Sequence, residues 1–144
     1  MLIGEYTHTL DDKNRVSMPA KFRAEMGKKI VLAPGLDGCI SLYTEKEWKN
    51  FSQKLSEGNM LRALDRSFNR FLFGGAVETD VDTQGRILIP DFLKKRAGLK
   101  EKVCIVGVDN RAEIWNEAKW KAYKTTVEKE ADQLAERLGE VGIL

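Results

Sequence analysis

The chain contains the same pattern twice. Leu10-Asp11-Asp12-Lys13-Asn14-Arg15-Val16-Ser17-Met18-Pro19 matches Val81-Asp82-Thr83-Gln84-Gly85-Arg86-Ile87-Leu88-Ile89-Pro90 at an offset of 71. Leu42 to Phe51 matches Ile114 to Tyr123 at an offset of 72. Two ordered matches separated by one inserted residue divide the 144 residues into tandem copies, residues 1 to about 72 and about 73 to 144. Each copy has about 45 residues before its helices, close to the lower limit at which a chain can cover its own apolar surface. The copies must therefore share a core or complete one between subunits.

Local signals agree within each copy. Glu5 to Leu10 alternates as a strand does, Asp11 to Asn14 is polar turn chemistry, and Arg15 to Met18 resumes a short apolar strand. Asn14 and Gly85 share one repeat position, and these residue types accept a left-handed backbone most readily, so a tight hairpin is expected there. Pro19 and Pro90 suit a first helical turn, and Gly27 and Gly98 fall where that helix should stop. Lys29 to Ala33 and Cys39 to Tyr43 read as strands across Pro34 to Gly38, as do Val103 to Val108 and Ala112 to Trp115 across Asp109-Asn110. Thr44 and Asn116 are matching helix caps. Leu61, Leu64, Phe68, Phe71 and Leu72 are expected on one face of a helix joining the copies, and Trp120, Tyr123, Val127, Ala131, Leu134 and Leu138 on one face of a long final helix.

Hydrophobic residues make up 42% of the chain, enough for a packed core and unlike a disordered segment. Cys39 and Cys104 form no metal-ligand spacing with each other or with His8, the one histidine, and read as reduced thiols in a cytosolic protein. No apolar run has the length of a membrane span, and the charged first 30 residues do not form a signal peptide. No cofactor, metal or small-molecule substrate is expected. An enzyme would need a nucleophile with a base, or paired carboxylates in a cleft; there is no GxSxG and no phosphate-binding glycine loop. No catalytic residue is assigned.

The sharpest motif is Asp-x-x-x-Arg, present once per copy as Asp11/Arg15 and Asp82/Arg86. Such an Asp can accept N–H bonds of its turn while the Arg leaves at the start of the returning strand. Two readings stand side by side: a local ion pair that holds a turn, or a guanidinium presented at a hairpin tip to phosphate or a guanine edge.

The opening Met1 to Asp11, the Pro19-Ala20-Lys21-Phe22-Arg23 helix start, Gly35-Leu36-Asp37 and the twin Asp-x-x-x-Arg turns together resemble the MraZ family of bacterial transcriptional regulators. The resemblance covers essentially the whole chain; Asn14 departs from it where the family usually has Gly, and Asp12 adds a negative charge beside Asp11. It implies an α+β fold, a tandem-repeat swapped-hairpin, double-psi-like β-barrel of AbrB type with flanking helices. SpoVT-AbrB-like domains would occupy residues 5–48 and 76–120, with linking helices at 49–75 and a C-terminal helix at 121–144. It also implies a homo-oligomer forming a closed ring, cytoplasmic and nucleoid-associated. That ring would bind direct repeats of double-stranded DNA in the promoter of the division and cell wall gene cluster and repress it, the regulator's own gene included. On this reading Arg15 and Arg86 bind DNA with Asp11 and Asp82 supporting them. Lys13, Lys21 and Arg23 join them on charge and proximity. The alternative is a structural ring or protein-binding adaptor without specific DNA binding.

A net charge of +2 alone does not suggest a polyanion partner, but its distribution does. Residues 11 to 29 carry a local +3, residues 80 to 102 a local +2, and residues 112 to 144 a local −2. One subunit with so small a surplus neutralises few phosphates and binds weakly; repetition in an oligomer would supply avidity. Trp48, Trp115 and Trp120 read as core packing or, less simply, as base-stacking groups, and Arg62, Arg66 and Arg70 as a solvated face, a subunit contact or a further DNA surface.

Overall fold

The computed structural model describes residues 1–144. The first copy runs β1 (Leu2–Thr9), β2 (Arg15–Ser17), α1 (Ala20–Met26), β3 (Lys29–Pro34), β4 (Ile40–Thr44), α2 (Glu45–Ser56) and α3 (Ala63–Gly74). The second runs β5 (Val77–Asp80), β6 (Arg86–Leu88), α4 (Asp91–Ala97), β7 (Lys102–Asp109), β8 (Ala112–Asn116) and α5 (Glu117–Glu140). The fold is mixed α+β. One antiparallel sheet has the order β1-β7-β8-β4-β3-β5, and a separate two-stranded ribbon is formed by β2 and β6; no closed barrel is found. No helix is long and apolar enough to cross a membrane.

The pairing departs from the hairpins expected within each copy. β1 does not pair with β2; it pairs with β7 along its full length, and β5 pairs with β3, so each copy contributes the edge strand of the other. The exchange is closely symmetric. Leu10 N–H donates to the Glu101 carbonyl and Val81 N–H to the Lys28 carbonyl, the same bond made from both sides. At the two places where like strands meet, Val16 faces Ile87 and Ser41 faces Glu113, each residue opposite its own repeat equivalent.

Crossed pairing satisfies the burial requirement that neither copy meets alone. The main core draws ten buried side chains from the first copy, among them Val16, Met18, Phe22 and Leu32, and nine from the second, among them Ile87, Ile89, Leu93 and Ile105. Gly107 is needed where β1 lies against β7, because a Cβ there would stand 2.5 Å from the Leu2 carbonyl carbon and force the strands apart. The side-chain caps hold at the predicted positions, while Pro19 and Pro90 stand just ahead of their helices rather than in the first turn. Thr44 Oγ1 accepts from Glu47 N–H at 3.0 Å and Asn116 Oδ1 from Lys119 N–H at 3.1 Å, bonds each worth about 1 kcal/mol to a helix start.

The stripe predicted for the joining helix is only half right. Leu72 is buried and Phe68 packs beside it, but Leu64 is 80% exposed and Leu61, ahead of the helix, is 83% exposed. Only the C-terminal half of α3 reaches the sheet, so the apolar residues before it find no partner within the chain. In α5 the same division holds: Trp120 and Tyr123 pack on Trp115, whereas Leu134 and Leu138 are exposed. Trp48 stacks into a second small cluster with Tyr43 and Phe51, so all three tryptophans are packing residues. Cys39 and Cys104 are free and buried in the cluster around Trp115, and burial pushes their thiols up to about 12 and about 11.

Candidate nucleic-acid interface

Each Asp-x-x-x-Arg segment closes on itself in the same way. Asp11 Oδ1 accepts from Lys13 N–H at 2.9 Å and from Arg15 N–H at 2.8 Å, while Oδ2 accepts from Arg15 Nε at 2.8 Å. Asp82 accepts from Gln84 N–H at 2.9 Å, Arg86 N–H at 2.8 Å and Arg86 Nε at 2.9 Å. The carboxylate thus replaces a backbone acceptor for two amides, which explains why Asp stands first in the motif. The Nε bond then fixes the guanidinium beside the turn. Neither terminal nitrogen of Arg15 or Arg86 is used in any hydrogen bond within the chain, and about a third of each arginine side chain is exposed.

The β2–β6 ribbon brings the two turns together. Arg15 lies opposite Leu88 and Arg86 opposite Ser17, while Val16 and Ile87 between them are 1% exposed. Side chains alternate across a strand, so both arginines share the outer face of the ribbon. Two further bonds lock the turns to the opposite copy. Asn14 carbonyl accepts from Ile89 N–H and Gly85 carbonyl from Met18 N–H, both at 2.8 Å.

The fourth turn position resolves the Asn/Gly difference. Asn14 has φ 60° and Gly85 φ 76°, the left-handed backbone that the turn chemistry predicts. Arg23 reaches across from α1, donating from Nε to the Met18 carbonyl at 2.9 Å, and its guanidinium occupies the space where a side chain at position 85 would sit. Its repeat equivalent Lys94 reaches from α4 to the other turn and donates from Nζ to Asn14 Oδ1 at 2.8 Å. A long guanidinium leaves room only for glycine; the shorter reach of lysine is completed by an asparagine amide.

Lys94 was not among the residues picked out by sequence, although it stands 71 positions after Arg23. Arg23 therefore supports the second turn rather than the first, a relation that proximity along the chain could not reveal. Lys13 lies exposed within the first turn and Lys21 exposed at the start of α1; neither side chain is tied to the arginines by a hydrogen bond. Arg66 folds back on the carbonyls of Met60 and Leu61. An open cleft flanks each turn. One of about 550 Å³ is lined by Asp11, Asp12 and Glu101 together with the cations Lys94 and Lys100, and one of about 240 Å³ by Asp82 together with the cations Arg23 and Lys28.

Hydrogen bonds from the arginine backbone amides hold both aspartate carboxyls below the usual carboxylate range, aided by the arginine side chains. A carboxyl with a lowered pKa in the folded chain favours that fold at pH above its unfolded value of about 3.9 and loses this contribution as pH falls through the lowered value. The Arg15 and Arg86 amide resonances are therefore expected to titrate in step with midpoints below 3.9; midpoints above it would show that the bonds do not persist in solution. Desolvation, with the charge of Arg23 nearby, holds the pKa of His8 below its ordinary value. No group of three or more His, Cys, Asp or Glu side chains converges in a way that could hold a metal ion.

The duplication has a counterpart in known proteins. The family model of the MraZ protein matches the chain twice, at residues 1–71 and 72–140. The chain is 44% identical over 143 residues to the transcriptional regulator MraZ of Caldanaerobacter subterraneus subsp. tengcongensis, covering 99% of this chain and all of that protein. It is 46% identical to the transcriptional regulator MraZ of Syntrophomonas wolfei and 43% identical to that of Acetivibrio thermocellus, with the same coverage in both cases. With both halves matched by one model and its whole length aligned with these relatives, the chain belongs to the MraZ family.

Proposed function

We propose that the protein is a sequence-specific DNA-binding transcriptional regulator that presents the β2–β6 ribbon to the major groove of double-stranded DNA. The observation that carries this reading is the juxtaposition of two identically built turns, each aiming a guanidinium with free terminal nitrogens from the outer face of one ribbon. A two-stranded ribbon fits the width of the major groove, and a guanidinium can pair with both acceptors of a guanine edge or with phosphate. Lys94, Lys100, Arg23 and Lys28, beside the turns, add positive charge where the backbone of a groove-bound duplex would pass. The names of the relatives support a regulatory role.

On this reading residues 5–48 and 76–120 act as paired AbrB-type domains of swapped-hairpin kind, their crossed strands forming the sheet and ribbon rather than a closed barrel, and residues 49–75 and 121–144 serve as flanking helices. Copies of the chain form a closed ring that gains by avidity what one weakly basic subunit lacks. The ring binds direct repeats ahead of the division and cell wall gene cluster in the cytoplasm, at the nucleoid, and represses that cluster and its own gene.

Fluorescence anisotropy with a labelled duplex from the region upstream of the protein's own gene, against a scrambled duplex of equal length, tests the proposal. Preferential binding of the upstream duplex at moderate salt is expected. Equal binding to both, or none to either, would leave the turns as structural devices of a ring or adaptor protein.

A further inference from the structure

The backbone of the ribbon is nearly two-fold symmetric, but its outer face is not. Inward positions keep their character between the copies: Val16 corresponds to Ile87, Met18 to Ile89 and Phe22 to Leu93, all of them buried. Outward positions other than the two arginines do not. Ser17 of the first copy corresponds to Leu88 of the second, and Lys21 corresponds to Phe92. Leu88 is 55% exposed and Phe92 52% exposed. Core symmetry follows from a shared interior; nothing in the packing asks for a leucine at position 88.

Its setting says what the leucine faces. Leu88 stands directly opposite Arg15, as Ser17 stands opposite Arg86. Side chains so paired have Cβ atoms about 4.5–5.5 Å apart, comparable with the rise of about 3.4 Å between successive bases of one strand, so the two can address neighbouring base pairs. Arg15 opposite the leucine and Arg86 two residues before it on the same strand make an anionic partner the complementary one. The apolar group that a duplex displays in its major groove is the 5-methyl of thymine.

Resting on the DNA-binding reading of the same ribbon, we propose that Leu88 is a specificity-determining residue. It packs on a thymine 5-methyl next to the base pair contacted by Arg15, while Ser17, beside Arg86, makes no such contact. The two halves of the ribbon then read different steps, and a subunit docks on DNA in one orientation despite its near-symmetric backbone.

Deoxyuridine provides the test, since it differs from thymidine only in that methyl group. A duplex selected by the full-length protein from a random-sequence library is remade with each thymidine replaced singly by deoxyuridine, and affinities are compared for the wild type, Leu88→Ser and Ser17→Leu. Loss of one buried methyl contact is worth about fourfold in affinity. The wild type should lose about that factor at one position, Leu88→Ser should be indifferent there, and Ser17→Leu should acquire a sensitivity at a second position. Indifference of the wild type to every replacement, or an undiminished effect in Leu88→Ser, would overturn the inference while leaving DNA binding intact. A Leu88→Ser protein that keeps the thymine effect but changes its sedimentation would assign the residue to a subunit contact instead, which also overturns it. Failure of the wild type to enrich any duplex would overturn the DNA-binding reading itself, and this inference with it.

Discussion

Replacing Arg15 by Ala is expected to lower affinity for the upstream duplex by roughly 10- to 100-fold, the range for loss of one bidentate base contact. The melting temperature should move by no more than about 4 °C. The second expectation follows from how the turn is held. Asp11 Oδ1 keeps its two bonds from the Lys13 and Arg15 amides when the guanidinium is gone, because those donors belong to the backbone. What is lost is one ion pair with both side chains about a third exposed, and such pairs contribute about 0–1 kcal/mol. In a domain of this length that is a few degrees at most.

Asp11→Ala should lower both quantities. It removes all three bonds that build the turn and leaves the arginine unaimed, so stability and DNA binding both fall. Anisotropy and thermal melting of Arg15→Ala, Arg86→Ala and Asp11→Ala separate the two meanings of the motif. If Arg15→Ala melts as early as Asp11→Ala, the arginine is a structural group. Identical loss in Arg15→Ala and Arg86→Ala would mean that both turns engage the duplex, while unequal loss would identify the turn that does.

Phe22→Ala is expected to carry the largest cost to the fold, about 3–5 kcal/mol, lowering the melting temperature by about 10 °C or more in a single transition. Phe22 is 2% exposed and meets Tyr6 edge to face at 5.3 Å. It lies in a core to which the second copy contributes almost as many side chains as the first. A cavity beneath α1 is therefore expected to loosen the second copy's share of that core as well. Calorimetry decides the point: two separated transitions in the variant, one unshifted, would mean that the copies are independently stable units.

Much of this was legible in the residues. The offset of 71 located both turns, Asp in first position and a left-handed fourth residue followed from turn chemistry, and Thr44, Asn116, Gly27 and Gly98 marked helix ends where they occur. These features depend on bonds between residues a few positions apart, which is the range a linear pattern expresses. The stripe through Leu61 and Leu64 misled because helical periodicity reports which residues share a face, not whether anything lies against it.

Strand partners were beyond the sequence for a related reason. The alternation of β1 and β2 is satisfied equally by a hairpin within one copy and by pairing with β7 and β6 of the other, since both bury the same face. The chain alone thus determined that there are two like units, with two turns built to hold an arginine. Only the tertiary structure decided that the units exchange edge strands, that Arg23 and Lys94 each brace the opposite turn, and that Arg15 and Arg86 share one ribbon with Leu88 between the turns. Each of those outcomes joins residues far apart along the chain, and burial of a common core, rather than any local preference, brings them together.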